Sequence, residues 1–345
     1  MTAQGKRPPT MVDVARAAGV AHITVSRVVN NEPTVRAATR DRVLRVIDEL
    51  GYRRNDSARM LKSGRSTMLG VVLAGSELFE LPRMLLGIEQ AAKDAGHWVS
   101  LTSWQGGTHE QLEQCLGQLV GQGAAGVAVI ADRPVALEAL DRTVARVPIS
   151  VVMSGNVANP AIGSVELDQV EGARLATRHL LDLGHRDVVH LSGHMETYDA
   201  RARVDGWRGE LRRAGIAEPR VLHGDFTARS GHELTAALID GLVDGPADGG
   251  TLPTAIFTGN DQMAMGVLSA LAARGLSVPG DVSVVGFDDM AGADYLVPAL
   301  TTVRQDFVTL GRLAIEVLLD LMGGGAARHH QLPPSLVVRA STRAV

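Results

Sequence analysis

The stretch VAHITVSRVVNN, Val20 to Asn31, carries an imidazole, a hydroxyl, a guanidinium and an amide at helical spacing. At 3.6 residues per turn His22, Ser26 and Asn30 share one stripe, with Ile23 and Arg27 beside them, while Val25, Val28 and Val29 fall on another. An isolated helix would simply show such a face to water; on a folded module it is suited to the phosphates and base edges of a nucleic acid. Three histidines, His185, His190 and His194, raise the question of a metal. His190 lies inside the apolar run DVVHLS, and no Cys or acidic pair completes a tight ligand spacing, so a structural role is expected and no metal or other cofactor. No Gly-rich phosphate loop and no GxSxG turn occurs, and the chain carries no enzyme signature.

The elements that must position the polar face are short. Thr10 followed by Asp13 is a capping signature, and Met11, Val14, Ala15 and Ala18 give a first amphipathic helix that stops at Gly19. Val20 is the pivot of a tight turn, so the second helix follows at the spacing of a helix-turn-helix. Val43, Ile47 and Leu50, with Val46 alongside, make the stripe of a third helix ending near Gly51. Val14, Val20, Val25, Val29, Val43 and Ile47 can then be buried together, with the His22, Ile23, Ser26, Arg27 and Asn30 face left outward. Charge supports the same reading: residues 1 to 66 hold 13 Lys and Arg against 6 Asp and Glu, whereas the rest holds 21 against 32. A basic first fifth on an acidic body suggests a module that meets a polyanion and a body that does not.

At 345 residues, 45% hydrophobic and 21% charged, the chain has the balance of a soluble protein of two or three folding units. The single cysteine, Cys115, excludes an intrachain disulfide framework, and no run approaches the ~20 apolar residues that span a bilayer. MTAQGKRPPT lacks an apolar stretch behind its basic residues, so no signal peptide and a cytoplasmic location are expected. From Met68 onward the strand candidates LGVVLA, WVSLTS, AGVAVIA, ISVVM, DVVHLS, RVLHG, TAIFTG and VSVVGF alternate with helical segments such as 84–95, 170–183 and 261–274. That alternation predicts parallel sheets covered by helices, in two doubly wound lobes, with ligands bound beyond the carboxyl ends of strands.

MVDVARAAGVAHITVSRVVNN, then TRDRVLRVIDELGY, then NDSARMLKSGRSTMLGVV resemble without gaps the N-terminus of the lac and galactose repressor family of bacterial transcription regulators. The resemblance implies that the second helix lies in the major groove, with His22, Ile23 and Arg27 at base-reading positions and Arg27 the candidate for a guanine. Thr24, Ser26, Arg36, Thr39 and Arg40 would hold phosphates. Ala21 stands where the family usually has a capping Ser, and Ile23 can meet a thymine methyl but cannot pair with adenine, so the operator sequence does not carry over. Asn55, Ala58 and Leu61 match the hinge pattern, with Leu61 as the wedge that opens a minor-groove step; a plain linker is the alternative.

HLSGHMETYDARARVDGWRGEL, TAIFTGNDQMAMGVL, VSVVGFDDM and ALTTVRQDF resemble the family's core, which shares the fold of type I periplasmic sugar-binding proteins. Carried over by position, Arg203, Asn260 and Asp288 would hold sugar hydroxyls between the lobes, Phe226 would pack on the sugar face, and Asp199 and Gln305 would join them. Ser76, Glu77 and Leu78 correspond to the first loop. Met153 replaces an acid frequent in the family and predicts a more apolar pocket there, or one that takes a different sugar.

The expected architecture is an α/β core of two doubly wound parallel-sheet lobes, residues 67–345, preceded by an all-α helix-turn-helix headpiece, 1–53, and a hinge helix or linker, 54–66. The expected function is a cytoplasmic, nucleoid-associated repressor that binds a palindromic DNA operator as a homodimer, without membrane contact, and is released by a sugar-like effector. A purine-repressor-like regulator whose ligand is a corepressor, and a non-enzymatic sugar-binding protein, are the alternatives. A sugar hydrolase or kinase is the enzyme-class rival.

Overall fold

The computed structural model describes residues 9–30, 32–52, 66–74, 80–104, 108–142, 146–155, 157–217, 220–243 and 251–345. The chain forms two compact units, Met1–Arg65 and Ser66–Val345.

In the first unit α1 (Met11–Ala18), α2 (His22–Val29) and α3 (Ala37–Leu50) follow one another through short turns. The backbone N–H of Thr10 donates to Asp13 Oδ2 at 2.9 Å, and its hydroxyl donates to the same oxygen at 2.6 Å, which fixes where α1 starts. Gly19, at φ 62°, ends it in the left-handed conformation, and the Val20 N–H folds back to the Ala15 carbonyl at 3.0 Å. Ala21 opens α2 with no side-chain cap. Val14, Ala15, Ala18, Val25, Val28 and Val43 form the buried core. Val20, Val29 and Ile47 pack at its edge, partly buried. Leu50 departs from the expected stripe and is 40% exposed. Left-handed Gly51 turns the chain so that Tyr52, whose N–H bonds to the Ile47 carbonyl at 3.0 Å, packs against the core instead.

The second unit contains two six-stranded sheets. The first is wholly parallel and comprises β1 (Met68–Ala74), β2 (Trp98–Trp104), β3 (Ala124–Ala131), β4 (Ile149–Val152), β5 (Ile162–Leu167) and β11 (His329–Leu332), in the order β11-β5-β4-β3-β1-β2. The second comprises β6 (Val188–Ser192), β7 (Val221–His223), β8 (Ala255–Thr258), β9 (Ser283–Asp288), β10 (Thr301–Arg304) and β12 (Ser335–Val337), in the order β12-β10-β9-β8-β6-β7. Only its pair β10 with β12 is antiparallel. All eight expected strands are present; β5, β10, β11 and β12 were not among them.

Helices cover both faces of each sheet: α4 (Leu81–Asp94), α5 (His109–Gly121), α6 (Pro134–Asp141) and α11 (Phe307–Met322) in the first lobe. In the second lobe they are α7 (Gln169–Asp182), α8 (Tyr198–Arg213), α9 (Ala228–Val243) and α10 (Asp261–Ala273). A Cβ at Gly87 would stand 2.1 Å from the Val308 carbonyl oxygen and one at Gly311 2.1 Å from that of Met84, so α4 and α11 touch backbone to backbone. The chain crosses between lobes three times, at 167–169, 304–307 and 332–335. Strand order reverses between β1 and β3 in one sheet and between β6 and β8 in the other. These switch points open a crevice at the carboxyl ends of the strands, where an α/β sheet binds its ligands.

Candidate effector cleft and DNA-reading face

On α2 the apolar stripe is turned inward and the polar face outward. His22 and Asn30 are exposed, Ile23 is 56% exposed, and Thr24 and Ser26 are half-buried. Arg27 keeps half its side chain in solvent and forms an ion pair with Glu32 at 3.7 Å; the Asn30 amide donates to Ser26 Oγ at 3.5 Å. Arg36 precedes α3 and is exposed, Thr39 is half-buried, and Arg40 donates to the Glu32 carbonyl. Asn55, Ala58 and Leu61 lie outside the described residues.

In the core, Asp199, Arg203, Phe226, Asn260, Asp288 and Gln305 line one cleft between the lobes, enclosing about 700 Å³ together with its open mouth. Ser76, Glu77 and Leu78 lie outside the described residues. Arg203, on α8, is 4% exposed. Its Nε donates to Gln169 Oε1 at 2.9 Å, Nη1 donates to the Gly259 carbonyl, and Nη2 stands 3.6 Å from carboxylate oxygens of both Asp199 and Asp288. The guanidinium lies over the Phe287 ring at 4.0 Å and faces Phe226 at 5.6 Å. A planar cation with five donors is the side chain that can hold these partners together.

Asn260, 2% exposed, caps α10: its Oδ1 accepts from the Met263 N–H at 2.9 Å, and its amide donates to the Phe226 carbonyl at 3.1 Å. Phe226 itself sits at φ 69°, a strained backbone for an aromatic residue. Its ring occupies the space over Gly193, where a Cβ would come within 2.0 Å of Cζ. Asp288 and Asp289, after β9, also have positive φ, at 108° and 53°. Asp288 Oδ1 accepts from Gln305 Nε2 at 2.6 Å, and Gln305 Oε1 accepts from Gln169 Nε2 at 2.8 Å. Burial pushes the Asp288 carboxyl up to about 8 against the pull of Arg203. Beneath it Asp261, 1% exposed, accepts from Thr302 Oγ1 at 2.5 Å and the Met290 N–H at 2.8 Å; burial raises it to about 7.

The first lobe contributes Leu81, Met84 and Phe307 as an apolar wall, with Asp132 and Arg133 at its rim. Sequence reasoning missed these, together with Gln169, His194, Thr197 and Asp225. Asp132 directly follows the strand AGVAVIA, so the rule of strand carboxyl ends would have found it. Gln169 follows β5, a strand whose sequence IGSVEL gave no apolar run. Met153 is 2% exposed and lines a smaller cavity next to Asp132, where Glu166 of β5, Gln169 and Asp199 add polar groups to its apolar neighbours.

The three histidines have separate settings. His190 is wholly buried, stacked on Phe257 at 4.5 Å, with its Nδ1 bonded to the Phe257 carbonyl at 2.9 Å; burial lowers its pKa to about 3. His185 bonds Thr254 Oγ1 at 2.9 Å and the Arg343 carbonyl at 3.0 Å, and His194 lines the cleft. Among the described residues no group of His, Cys, Asp and Glu is placed to hold a metal ion, and no helix is long and apolar enough to cross a membrane.

A helix-turn-helix unit in one chain with two α/β lobes around a polar cleft defines a class, the DNA-binding transcriptional repressors with an effector-binding core. Comparison with known proteins specifies it. Residues 10–55 match the model of bacterial regulatory proteins of the lacI family, and residues 177–342 match that of the periplasmic binding protein-like domain. The chain is 33% identical to the lactose operon repressor of Escherichia coli over 343 residues, covering 98% of this chain and 92% of that one. It is also 33% identical to the transcriptional repressor PurR of Vibrio campbellii, covering 97% of this chain and 98% of that one. The crystal structure of the lac repressor dimer bound to operator and the anti-inducer ONPF superposes with a TM-score of 0.84 at 33% identity, covering 98% of this chain and all of that chain. The chain belongs to the lacI family of bacterial regulatory proteins, whose matched members are repressors and not enzymes.

Proposed function

We propose that this protein is a cytoplasmic, nucleoid-associated repressor of carbohydrate-utilisation genes that binds a palindromic operator as a homodimer and is released when a sugar-like effector enters the cleft. In this reading 1–53 is the headpiece, 54–66 the hinge and 67–345 the effector and dimerisation core. His22, Ile23 and Arg27 read bases, Thr24, Ser26, Arg36, Thr39 and Arg40 hold phosphates, Asn30 completes the DNA-facing set, and Asn55, Ala58 and Leu61 belong to the hinge, with Leu61 as the minor-groove wedge. Arg203, Asn260, Asp288, Asp199 and Gln305 hold the effector's hydroxyls, Phe226 packs on its ring, and Ser76, Glu77 and Leu78 are further ligand-binding candidates.

The observation that carries this reading is the continuity between the cleft and the crossovers. Arg203 bonds Gln169, which begins the second lobe at the first crossing, and Gln169 bonds Gln305, which lies within the second. Gln305 in turn bonds Asp288, back in the cleft. A ligand that draws on Arg203 or Asp288 therefore acts on the segments about which the lobes turn. Direct ties reinforce the coupling: the Tyr198 N–H donates to the Asp132 carbonyl at 3.2 Å, and Arg133 stands 3.7 Å from Glu196. A ligand shifts such an equilibrium only by preferring one state, and a swing from 1:99 to 99:1 takes about 5.5 kcal/mol of difference.

The test is fluorescence anisotropy of the full chain on a labelled duplex selected from a random pool, titrated with compounds that raise its melting temperature. Release of the duplex supports the proposal. Tighter binding reverses the sign and makes the ligand a corepressor; no change on adding a stabilising compound overturns the coupling.

A further inference from the structure

Resting on the effector-site reading above, we infer that the cleft selects an uncharged polyhydroxy effector and rejects its phosphorylated or carboxylate counterpart, with Asp132 as the specificity-determining residue.

The charges that line the cleft argue this first. Glu80, Asp132, Asp199, Asp225 and Asp288 face it, against Arg133 and Arg203. An anionic effector would need a cation whose charge is unanswered, and that of Arg203 is not: Nε donates to Gln169, Nη1 donates to the Gly259 carbonyl, and Nη2 stands 3.6 Å from carboxylate oxygens of both Asp199 and Asp288. Arg133 stands between Asp132, at 3.9 Å, and Glu196, at 3.7 Å. A phosphate here would have to draw these cations away from the carboxylates they already face, across a poorly screened space where like charges repel more strongly than in water.

A cationic effector fits no better, because most of the carboxylates are already answered. Glu80 accepts from Arg83 at 3.1 Å, Asp199 faces Arg203, and Asp225 accepts from the Thr227 N–H at 2.9 Å and hydroxyl at 2.6 Å. Asp288 accepts from Gln305 Nε2 at 2.6 Å and faces Arg203 at 3.6 Å. The cleft thus presents hydrogen-bonding atoms whose charges are internally compensated.

The exception is Asp132. Its Oδ1 is buried and has no hydrogen-bond partner, and the adjacent Arg133 Nε is buried and equally unmatched. An unmatched acceptor beside an unmatched donor at the rim of a ligand cleft is completed by a group that both gives and takes a hydrogen bond, as a hydroxyl does. The same cleft carries the apolar wall of Leu81, Met84 and Phe307, a surface suited to the C–H face of a sugar ring. Hydroxyls toward Asp132 and the polar groups of the second lobe, and carbon toward Leu81, Met84 and Phe307, describe a neutral sugar or polyol.

Isothermal titration of the full chain tests this with matched pairs: glucose against glucose 6-phosphate and glucuronate, ribose against ribose 5-phosphate, and lactose and cellobiose against their aldonates, with hypoxanthine as the neutral non-polyol. The expected result is a neutral sugar binding at least about tenfold more tightly than its charged partners, with the gap narrowing as salt is raised. Asp132→Asn should narrow the same gap at low salt by weakening the neutral sugar and admitting the anion. A variant that lost affinity through misfolding would weaken all compounds alike and would show a lowered melting temperature without ligand. Tighter binding of a phosphate or carboxylate overturns the inference and leaves the effector site standing, as does binding of hypoxanthine alone. A chain that none of these compounds, nor a wider set of sugars and polyols, binds removes the effector site and the inference with it.

Discussion

Arg27 keeps half its side chain in water with Glu32 at 3.7 Å, whereas Arg203 is 4% exposed and every guanidinium nitrogen is directed at a group of this chain. The two arginines show how one protein meets two kinds of ligand. On α2 the charge is left outward in a basic segment, so a polyanion gains by displacing counterions at little cost in protein structure. In the cleft the charge is spent inside the protein, and what faces the ligand is a set of oriented dipoles. An exposed face binds through long-range charge with a few directional contacts added; a buried one works through preorganisation and shape.

The contrast is broken most severely at Arg203. Removing the guanidinium takes away the donors to Gln169 Oε1 and the Gly259 carbonyl and the charge facing Asp199 and Asp288, so Arg203→Ala should cost the core roughly 3 kcal/mol in urea unfolding. Response to effector should be lost, while operator affinity of the folded fraction stays near that of the parent. Arg203→Lys, which keeps charge but not the planar fork, should recover only part of the stability. A variant with unchanged stability and response would place Arg203 outside the cleft network.

Proton linkage separates the two regions next. Asp288 and Asp261 are raised to about 8 and about 7, so above neutrality the folded core still binds protons that the unfolded chain has released. Stability must therefore fall as pH rises from 7 to 9, by about 2 kcal/mol for groups shifted this far. His190, lowered to about 3, acts in the opposite direction and only at acid pH, where the unfolded chain takes up a proton that the buried ring refuses. Asp288→Asn should flatten the slope above pH 7 in chemical unfolding; an unchanged slope would show that Asp288 is ionised throughout.

Smaller effects belong to the headpiece. Arg27→Ala should weaken specific operator binding by about 1 to 3 kcal/mol and leave random-sequence binding nearly intact, as measured by competition on labelled DNA. Equal weakening on both would make Arg27 a phosphate contact. Ala21→Ser should add the cap that α2 lacks and raise headpiece stability by about 1 kcal/mol, without altering the effector affinity of the core. A changed effector affinity would mean that the regions are not independent in the way their charges suggest.

The headpiece was largely legible because its contacts are local: a capped helix, a left-handed glycine and a valine stripe follow one another in 52 residues, and Leu50 failed only where the chain turned to bring in Tyr52. The core was legible wherever an apolar strand announces its own end. Arg203, Asn260 and Asp288 came from the family resemblance, and their places after apolar strands agree with that rule. What stayed hidden depends on distant partners. Ser164 inside β5 is satisfied by His329 from the end of the chain, at 2.9 Å, so IGSVEL carries no strand signature of its own. The edge strand His329–Leu332 is polar because one side remains exposed. The positive φ of Phe226, Asp288 and Asp289 is imposed by packing on residues that no local rule assigns to it.

The first lobe is assembled from two stretches of chain: α11 and β11 come from beyond residue 306, yet α11 lies backbone to backbone on α4 through Gly87 and Gly311. During synthesis the strands β1 to β5 leave the ribosome before the helix that covers one face of their sheet has been made. Leu69, Val71 and Ile88, which pack with Leu310, Ala314 and Ile315, must wait for more than two hundred further residues. The second lobe has most of its sheet available by then, and the older half of the protein is completed by the younger. Folding of the first lobe is thereby made a late, long-range event, which exposes an apolar sheet face to other chains for the duration of translation.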